Sequence, residues 1–158
     1  MRVCVLSDTH GELRPLLRMR EQLGTVDALF HLGDHCRDAR EAAAYLGCPV
    51  YLVKGNCDRH EPEEEEELCF TLKGKRFLLM HGHKCGSEGA MFYKGLEKHA
   101  DAVLFGHTHV PYAAEREGIL LLNPGSLSEP RYMSAPGCAV LEWEEGGPLT
   151  YRFIVYEA

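Results

Sequence analysis

The chain has 158 residues, 45% of them hydrophobic and 26% charged, enough for one domain with its own core and no second. A net charge of -7 gives no basic surplus to grip a nucleic-acid backbone, and no apolar run nears the ~20 residues that cross a bilayer. Seven scattered cysteines without a Cys-x-x-Cys pair argue against a disulfide framework or a zinc ribbon, and imply reduced thiols and a cytoplasmic location.

The N-terminal residues 2–6 read as a first strand, since polar Ser7, Asp8 and His10 follow at once where a signal peptide would stay apolar. Residues 14–23 carry Leu16, Leu17, Met19 and Leu23 on one broad face and predict a helix. A strand over 27–32, a helix over 38–46 ended by Gly47, and a strand over 49–53 complete a β-α-β-α-β order, which implies a parallel sheet. The acidic run 61–67 reads as a solvated loop, because unspaced like charges repel. Residues 68–72 and 76–80 form a hairpin about Lys73-Gly74-Lys75, then come a helix over 87–99 and a strand over 102–105. Strands over 119–122, 138–143 and 150–156 close the chain, with Gly146-Gly147-Pro148 turning the last pair. The expected architecture is an α/β four-layer αββα sandwich of two mixed sheets flanked by helices, one domain over residues 1–158.

Five polar clusters each follow an apolar strand: Asp8-Thr9-His10, Gly33-Asp34, Gly55-Asn56-Cys57-Asp58, His81-Gly82-His83 and Gly106-His107-Thr108-His109. Ligands of α/β sheets bind outside the carboxyl ends of strands, so the five clusters are expected to converge there. Each alone is ordinary; Gly-Asp and Gly-Asn-x-Asp are common turns. Five in a row at strand ends are not explained by turns. Two aspartates, four histidines and an asparagine offer nitrogen and oxygen donors that suit Mn, Fe, Co, Ni or Zn, whereas calcium takes oxygen alone.

In this order the clusters resemble the signature of the calcineurin-like metallophosphoesterases, most closely their small, cap-less phosphodiesterase branch. The likeness runs from Asp8 to His109 and continues in Asn123-Pro124-Gly125-Ser126 and Pro130-Arg131. It implies two divalent ions, manganese foremost, with nickel, iron, cobalt or zinc as alternatives. Asp8, His10 and His109 would hold the first ion, Asn56, His81 and His107 the second, and Asp34 would bridge them. The resemblance further implies hydrolysis of small phosphodiesters by a metal-bound hydroxide, with Asn56, Asp58 and His81 as catalytic residues. Asn56, His83, Ser126 and Arg131 would touch the substrate, although Ser126 and Arg131 equally suit a turn or an oligomer contact.

The position after Asn56 is a histidine in larger relatives and Cys57 here, followed by Asp58. A thiol is a poorer proton donor at neutral pH than imidazolium, so good leaving groups, or another acid such as His35 or His83, are expected. His31, His60 and His99 read as structural or solvated. Cys36, Cys57 and Cys85 lie near ligands in sequence, where packing is the simpler role. The expected partner is a small phosphate ester, with no membrane, no nucleic acid and an open question of a homo-oligomer. The alternatives are a binding scaffold on the same fold, as in the retromer subunit that resembles this family, or a phosphomonoesterase or nuclease. Competent side chains at all seven ligand positions favour catalysis over the scaffold.

Overall fold

Hydrophobic alternation and short apolar runs fold here into ten strands and four helices in the computed structural model, which describes residues 1–157. In chain order they are β1 (Arg2–Leu6), α1 (Arg14–Arg18), α2 (Arg20–Leu23), β2 (Ala28–His31), α3 (Cys36–Leu46), β3 (Val50–Leu52), β4 (Glu67–Leu72) and β5 (Lys75–Met80). There follow α4 (Glu88–Glu97), β6 (Ala102–Leu104), β7 (Pro111–Arg116), β8 (Ile119–Pro124), β9 (Gly137–Glu142) and β10 (Thr150–Val155). Two five-stranded sheets result, in the orders β10-β9-β1-β2-β3 and β4-β5-β6-β8-β7. β1, β2 and β3 run parallel, as do β5, β6 and β8, while the flanking strands pair antiparallel.

Both sheets are mixed, and their facing sides share one core. Val3, Val5, Phe30, Leu32, Phe77, Leu79, Leu104, Leu122, Leu141 and Trp143 fill it. Phe30 is its hub: its ring meets Tyr51, Phe70 and Phe77 edge-on at 5.5, 5.3 and 5.2 Å. A second cluster joins Cys4, Leu6 and Leu29 to Leu16, Met19, Leu23 and Ala42 on the outer side of the first sheet. A third joins Leu78, Val103 and Leu121 to Met91 and Phe92 of α4 on the outer side of the second. The layers are therefore helix, sheet, sheet, helix, as the alternation of elements implied, with few helices.

Several boundaries differ from the expected ones for physical reasons. The helix expected over 14–23 is two short helices broken at Met19, whose φ and ψ of -88° and 2° leave the helical range. α3 starts at Cys36 rather than 38, because the Cys36 amide is met by the Asp58 carboxylate, 22 residues away in the chain. β7 was not expected: its Pro-Tyr-Ala-Ala-Glu-Arg has weak strand propensity and pairs only with β8, at the sheet edge. Its register comes from Glu117 and Gly118, both left-handed with φ of 49° and 78°, which form a tight hairpin turn. The acidic run is largely exposed but tethered, with Glu61 and Glu64 on Arg40, Glu66 on Lys84 and Glu67 on Lys94.

Truncating the hub should leave a cavity that its three ring neighbours cannot close. Phe30→Ala is expected to lower the unfolding free energy by about 3–5 kcal/mol, read from urea denaturation at unchanged slope.

Candidate metal centre

The loops after β1, β2, β3, β5 and β6 meet at one end of the two sheets. Backbone hydrogen bonds join them: Asp8 N–H to Gly33 O at 3.1 Å and Gly106 N–H to His81 O at 3.0 Å. The contact is close enough that a methyl on Gly106 would collide with Ser7 Oγ, and one on Gly55 with Asp34 Oδ1. Glycine is required at both points because the backbone lies directly against a side chain that must stay in place.

Asp8, His10, Asp34 and His109 bring one ligand atom each to within 4.8 Å of one another. His109 Nε2 lies 3.1 Å from Asp8 Oδ1, and His10 Nε2 lies 3.5 Å from Asp34 Oδ2. Beside them, His81 Nε2 is 3.5 Å from Asp34 Oδ1 and 3.3 Å from His107 Nδ1. Six of the seven expected ligands therefore gather in one place. Asn56 sits at the edge: its side chain is exposed, and its amide donates to Cys57 Sγ at 3.7 Å.

Two of the histidines are oriented as ligands. His81 Nδ1 donates to Leu32 O at 2.8 Å and His109 Nδ1 to Glu129 O at 2.6 Å, so each Nε2 presents a lone pair to the carboxylates. Asp8 is fully buried. Its Oδ2 accepts from Ser7 Oγ at 2.5 Å and from His107 N–H at 3.0 Å, while its Oδ1 has no hydrogen-bond partner among the described residues. His10 Nε2 is likewise buried without a partner. An orphaned buried polar atom costs about 1–3 kcal/mol, more when charged, and a carboxylate oxygen facing imidazole lone pairs is met by a cation. The donor set fits divalent ions. Burial alone would raise the Asp8 carboxyl, but His10 and His109 hold it well below the usual carboxylate range. The same contact with Asp8 raises His10 and His109, while burial lowers His107 and His83.

Strain marks the same residues. Asp8, His10, Asp34, His107 and His109 all have left-handed backbones, with φ of 52°, 46°, 61°, 71° and 61°. Each costs about 1–2 kcal/mol outside glycine and persists only where its surroundings enforce it.

Those surroundings include residues the sequence had marked otherwise. Asp58 accepts four backbone N–H groups, from Asp34 and Gly55 at Oδ2 (2.9 and 2.7 Å) and from His35 and Cys36 at Oδ1 (2.7 and 2.9 Å). Both oxygens are thus committed to tying the loop after β2 to the loop after β3. Burial would raise the Asp58 carboxyl, yet these amides hold it below its ordinary value. Ser126 is fully buried; its hydroxyl donates to Asp8 O at 2.7 Å, so it braces the first loop and does not face the opening. Ser128 Oγ donates to Thr9 O at 2.7 Å. Arg131 is exposed, and its N–H donates to His109 O at 3.2 Å, leaving its guanidinium at the rim. His83 lies beside the cluster, its ring 5.4 Å from that of His81. The His35 ring packs edge-on 5.1 Å from that of His10. Burial, then the nearby Asp34, push the Cys57 thiol up to about 11, so it stays protonated at neutral pH.

Sequence reasoning missed Ser7, Thr9, Ser128 and Glu129, which hold ligands by hydroxyl or carbonyl groups and carry no spacing signal. His31 fits the structural role that its place in a strand implies. It is fully buried; Gly33 N–H donates to its Nδ1 at 3.3 Å, so its Nε2 donates to Thr9 Oγ1 at 3.1 Å, which donates to Asp34 O at 3.4 Å.

Burial lowers His31 to about 4, although Asp8, Asp38 and Asp58 pull the other way. The unfolded chain takes up this proton near its ordinary value of about 6.5, and the folded protein only near 4. Stability from His31 is therefore complete above the higher value and lost as pH falls towards the lower, on the order of 3 kcal/mol in all. In chelator, the stability of the parent minus that of His31→Gln should fall by this amount across that window; a flat difference would refute the assignment.

Comparisons with known proteins bear on the whole chain. Residues 1–146 match the calcineurin-like phosphoesterase superfamily domain. The probable metallophosphoesterase YsnB of Bacillus subtilis is 33% identical over 159 residues, covering 97% of this chain and 90% of YsnB. The phosphodiesterase YfcE of Escherichia coli K12 is 30% identical over 154 residues, covering 83% of this chain and 82% of YfcE. Vps29 of Entamoeba histolytica, in a crystal structure with zinc, shares the fold with a TM-score of 0.78 at 22% identity, covering 99% of this chain and 100% of Vps29. The match along nearly the whole chain and the gathered aspartates and histidines lead to one statement: the chain belongs to the calcineurin-like phosphoesterase superfamily, in the small branch of YsnB- and YfcE-type metallophosphoesterases.

Proposed function

We propose that the protein is a binuclear-metal-dependent phosphodiesterase acting on small diesters. The observation that carries this reading is the buried, unpartnered Asp8 Oδ1 at the centre of the Asp8, His10, Asp34 and His109 group, with His81 and His107 alongside. Asp8, His10 and His109 would hold one ion, His81, His107 and Asn56 the other, and the two oxygens of Asp34 would serve both. When bound, two such ions activate water and stabilise the attacking and leaving oxygens of an in-line displacement. The chain's own part is orientation. His81 and His109 keep their Nε2 lone pairs inward through bonds to Leu32 O and Glu129 O, and Asp58 holds Asp34 in register with Gly55-Asn56.

Asn56 and Arg131 are exposed, and in this reading the Asn56 amide and the Arg131 guanidinium would each supply donors to the phosphate oxygens. His83 at the rim completes the proposed substrate contacts. Asp58 acts as a positioning residue in this reading, since its oxygens are already filled. The lack of an ionisable donor at Cys57 supports a preference for good leaving groups. Manganese is the metal proposed, on the resemblance to the family; the nitrogen and oxygen donor set equally suits nickel, iron, cobalt or zinc. No helix is long and apolar enough to cross a membrane, and seven free thiols suit a reducing cytoplasm.

After chelation, activity on aryl phosphodiesters should return with manganese, nickel, cobalt or zinc, exceed that on monoesters, and fall more than about a hundredfold in Asp34→Asn. Metal-independent activity, or full activity in that variant, would overturn the reading. Cys57→His should raise rates on poor alkyl leaving groups by about tenfold or more and leave nitrophenyl esters nearly unchanged. Equal gains on both, measured under the same metal, would show that no proton donor is missing there.

A further inference from the structure

A cavity with a volume of about 580 Å³ shares His81, Gly82 and His83 with the metal centre. This volume falls in the range of about 300–1,000 Å³ that receives small organic ligands. Lys54 lines it just before Gly55-Asn56, and its N–H donates to Glu65 O at 2.8 Å. One wall is the acidic segment from Glu63 to Glu67; the other is the loop from His81 to Cys85, with Lys94 of α4. The cavity thus borders the His81 side of the site.

Its lining has a definite chemistry. No Phe, Tyr or Trp side chain faces it, the imidazoles of His81 and His83 are its only aromatic rings, and Pro62, Met80 and Cys85 are its few apolar members, so it offers a base or an aryl ring little apolar surface. The Lys84 ammonium donates to both Glu66 carboxylate oxygens at 2.8 Å, and Lys94 pairs with Glu67. Glu64 turns to Arg40. Glu63 and Glu65 have no ion pair among the described residues, and five glutamates face three lysines around the cavity. The field inside is acidic apart from the Lys54 ammonium.

We propose that this cavity receives the ester group of the diester that is retained on phosphorus, and that Glu63 and Glu65 select a small polar alcohol carrying an ammonium group over one carrying an anion. The proposal rests on the phosphodiesterase reading of the metal centre. Glu63 and Glu65 are exposed, so their attraction is screened and the selection is moderate and sensitive to salt.

Three 4-nitrophenyl diesters test it, with choline, 3,3-dimethylbutanol or 3-hydroxypropionate as the second alcohol. All release the same nitrophenolate and differ in the charge of the retained group, choline and dimethylbutanol being nearly equal in shape. With the manganese-loaded enzyme, kcat/KM for the choline ester should exceed that for the dimethylbutyl ester by about fivefold, and the hydroxypropionate ester should be slowest. The double variant Glu63→Gln with Glu65→Gln should bring the three values together, and Glu63→Lys with Glu65→Lys should reverse their order. High salt should flatten the parent's preference. Hydrolysis of all three esters with equal kcat/KM, or ratios unmoved by either double variant, would overturn the selection while leaving the phosphodiesterase reading intact. An enzyme that cleaves none of them with any metal would overturn both.

Discussion

A carboxylate oxygen enclosed by protein and left without a donor is the constraint on which the rest of this structure depends. Asp8 Oδ1 is shut away from water, its neighbour Oδ2 is already satisfied by Ser7 and the His107 amide, and what faces it are imidazole nitrogens. Folding alone gives no reason to bury such a group. An ion-binding centre does, because positive charge between the ring nitrogens and the carboxylates turns the desolvation penalty into an attraction.

The fold holds that arrangement by over-determining it. Five left-handed ligand residues on three loops are each disfavoured by about 1–2 kcal/mol, and isolated loops would relax. They do not relax because their loops are tied to other parts of the chain. Asp58 gathers four amides from two loops, Ser126 reaches from the end of β8 to the carbonyl of Asp8, and His31 links Thr9 and Gly33 from inside β2. The two sheets supply rigidity beneath, since the inter-sheet core around Phe30 fixes how the strand ends face one another. Packing, loop geometry and electrostatics are therefore one problem, and the glycines at 55 and 106 are the points where they meet most tightly.

Departures from local rules coincide with function. Asp58 looks like part of a turn and is the anchor of two loops. α3 has no side-chain cap of its own and begins on a carboxylate from another loop. Cys57 stands where the family resemblance leads one to expect an ionisable donor, and desolvation, then the nearby Asp34, raise its thiol to about 11. A locally consistent sequence would show none of these; they persist because the site needs them.

The sequence by itself determined the layered α/β architecture, because period-2 and short apolar runs specify strands and the β-α order specifies parallel pairing. It also determined the candidate ligands, since polar clusters at successive strand ends leave a visible signal in Asp8, Asp34, His81 and His109. It could not determine which side chains turn inward, because that depends on partners far along the chain. Asp58 sits beside Asn56 in sequence, yet it points to the amides of Asp34, His35 and Cys36. Ser126 looks free to meet a phosphate and is buried behind Asp8. The weak edge strand β7 exists through pairing with β8, and the acidic run became one wall of a cavity through Lys84 and Lys94. Strands and ligand types follow from local chemistry, whereas orientation, burial and cavities are set by contacts across the whole chain and belong to the tertiary structure alone.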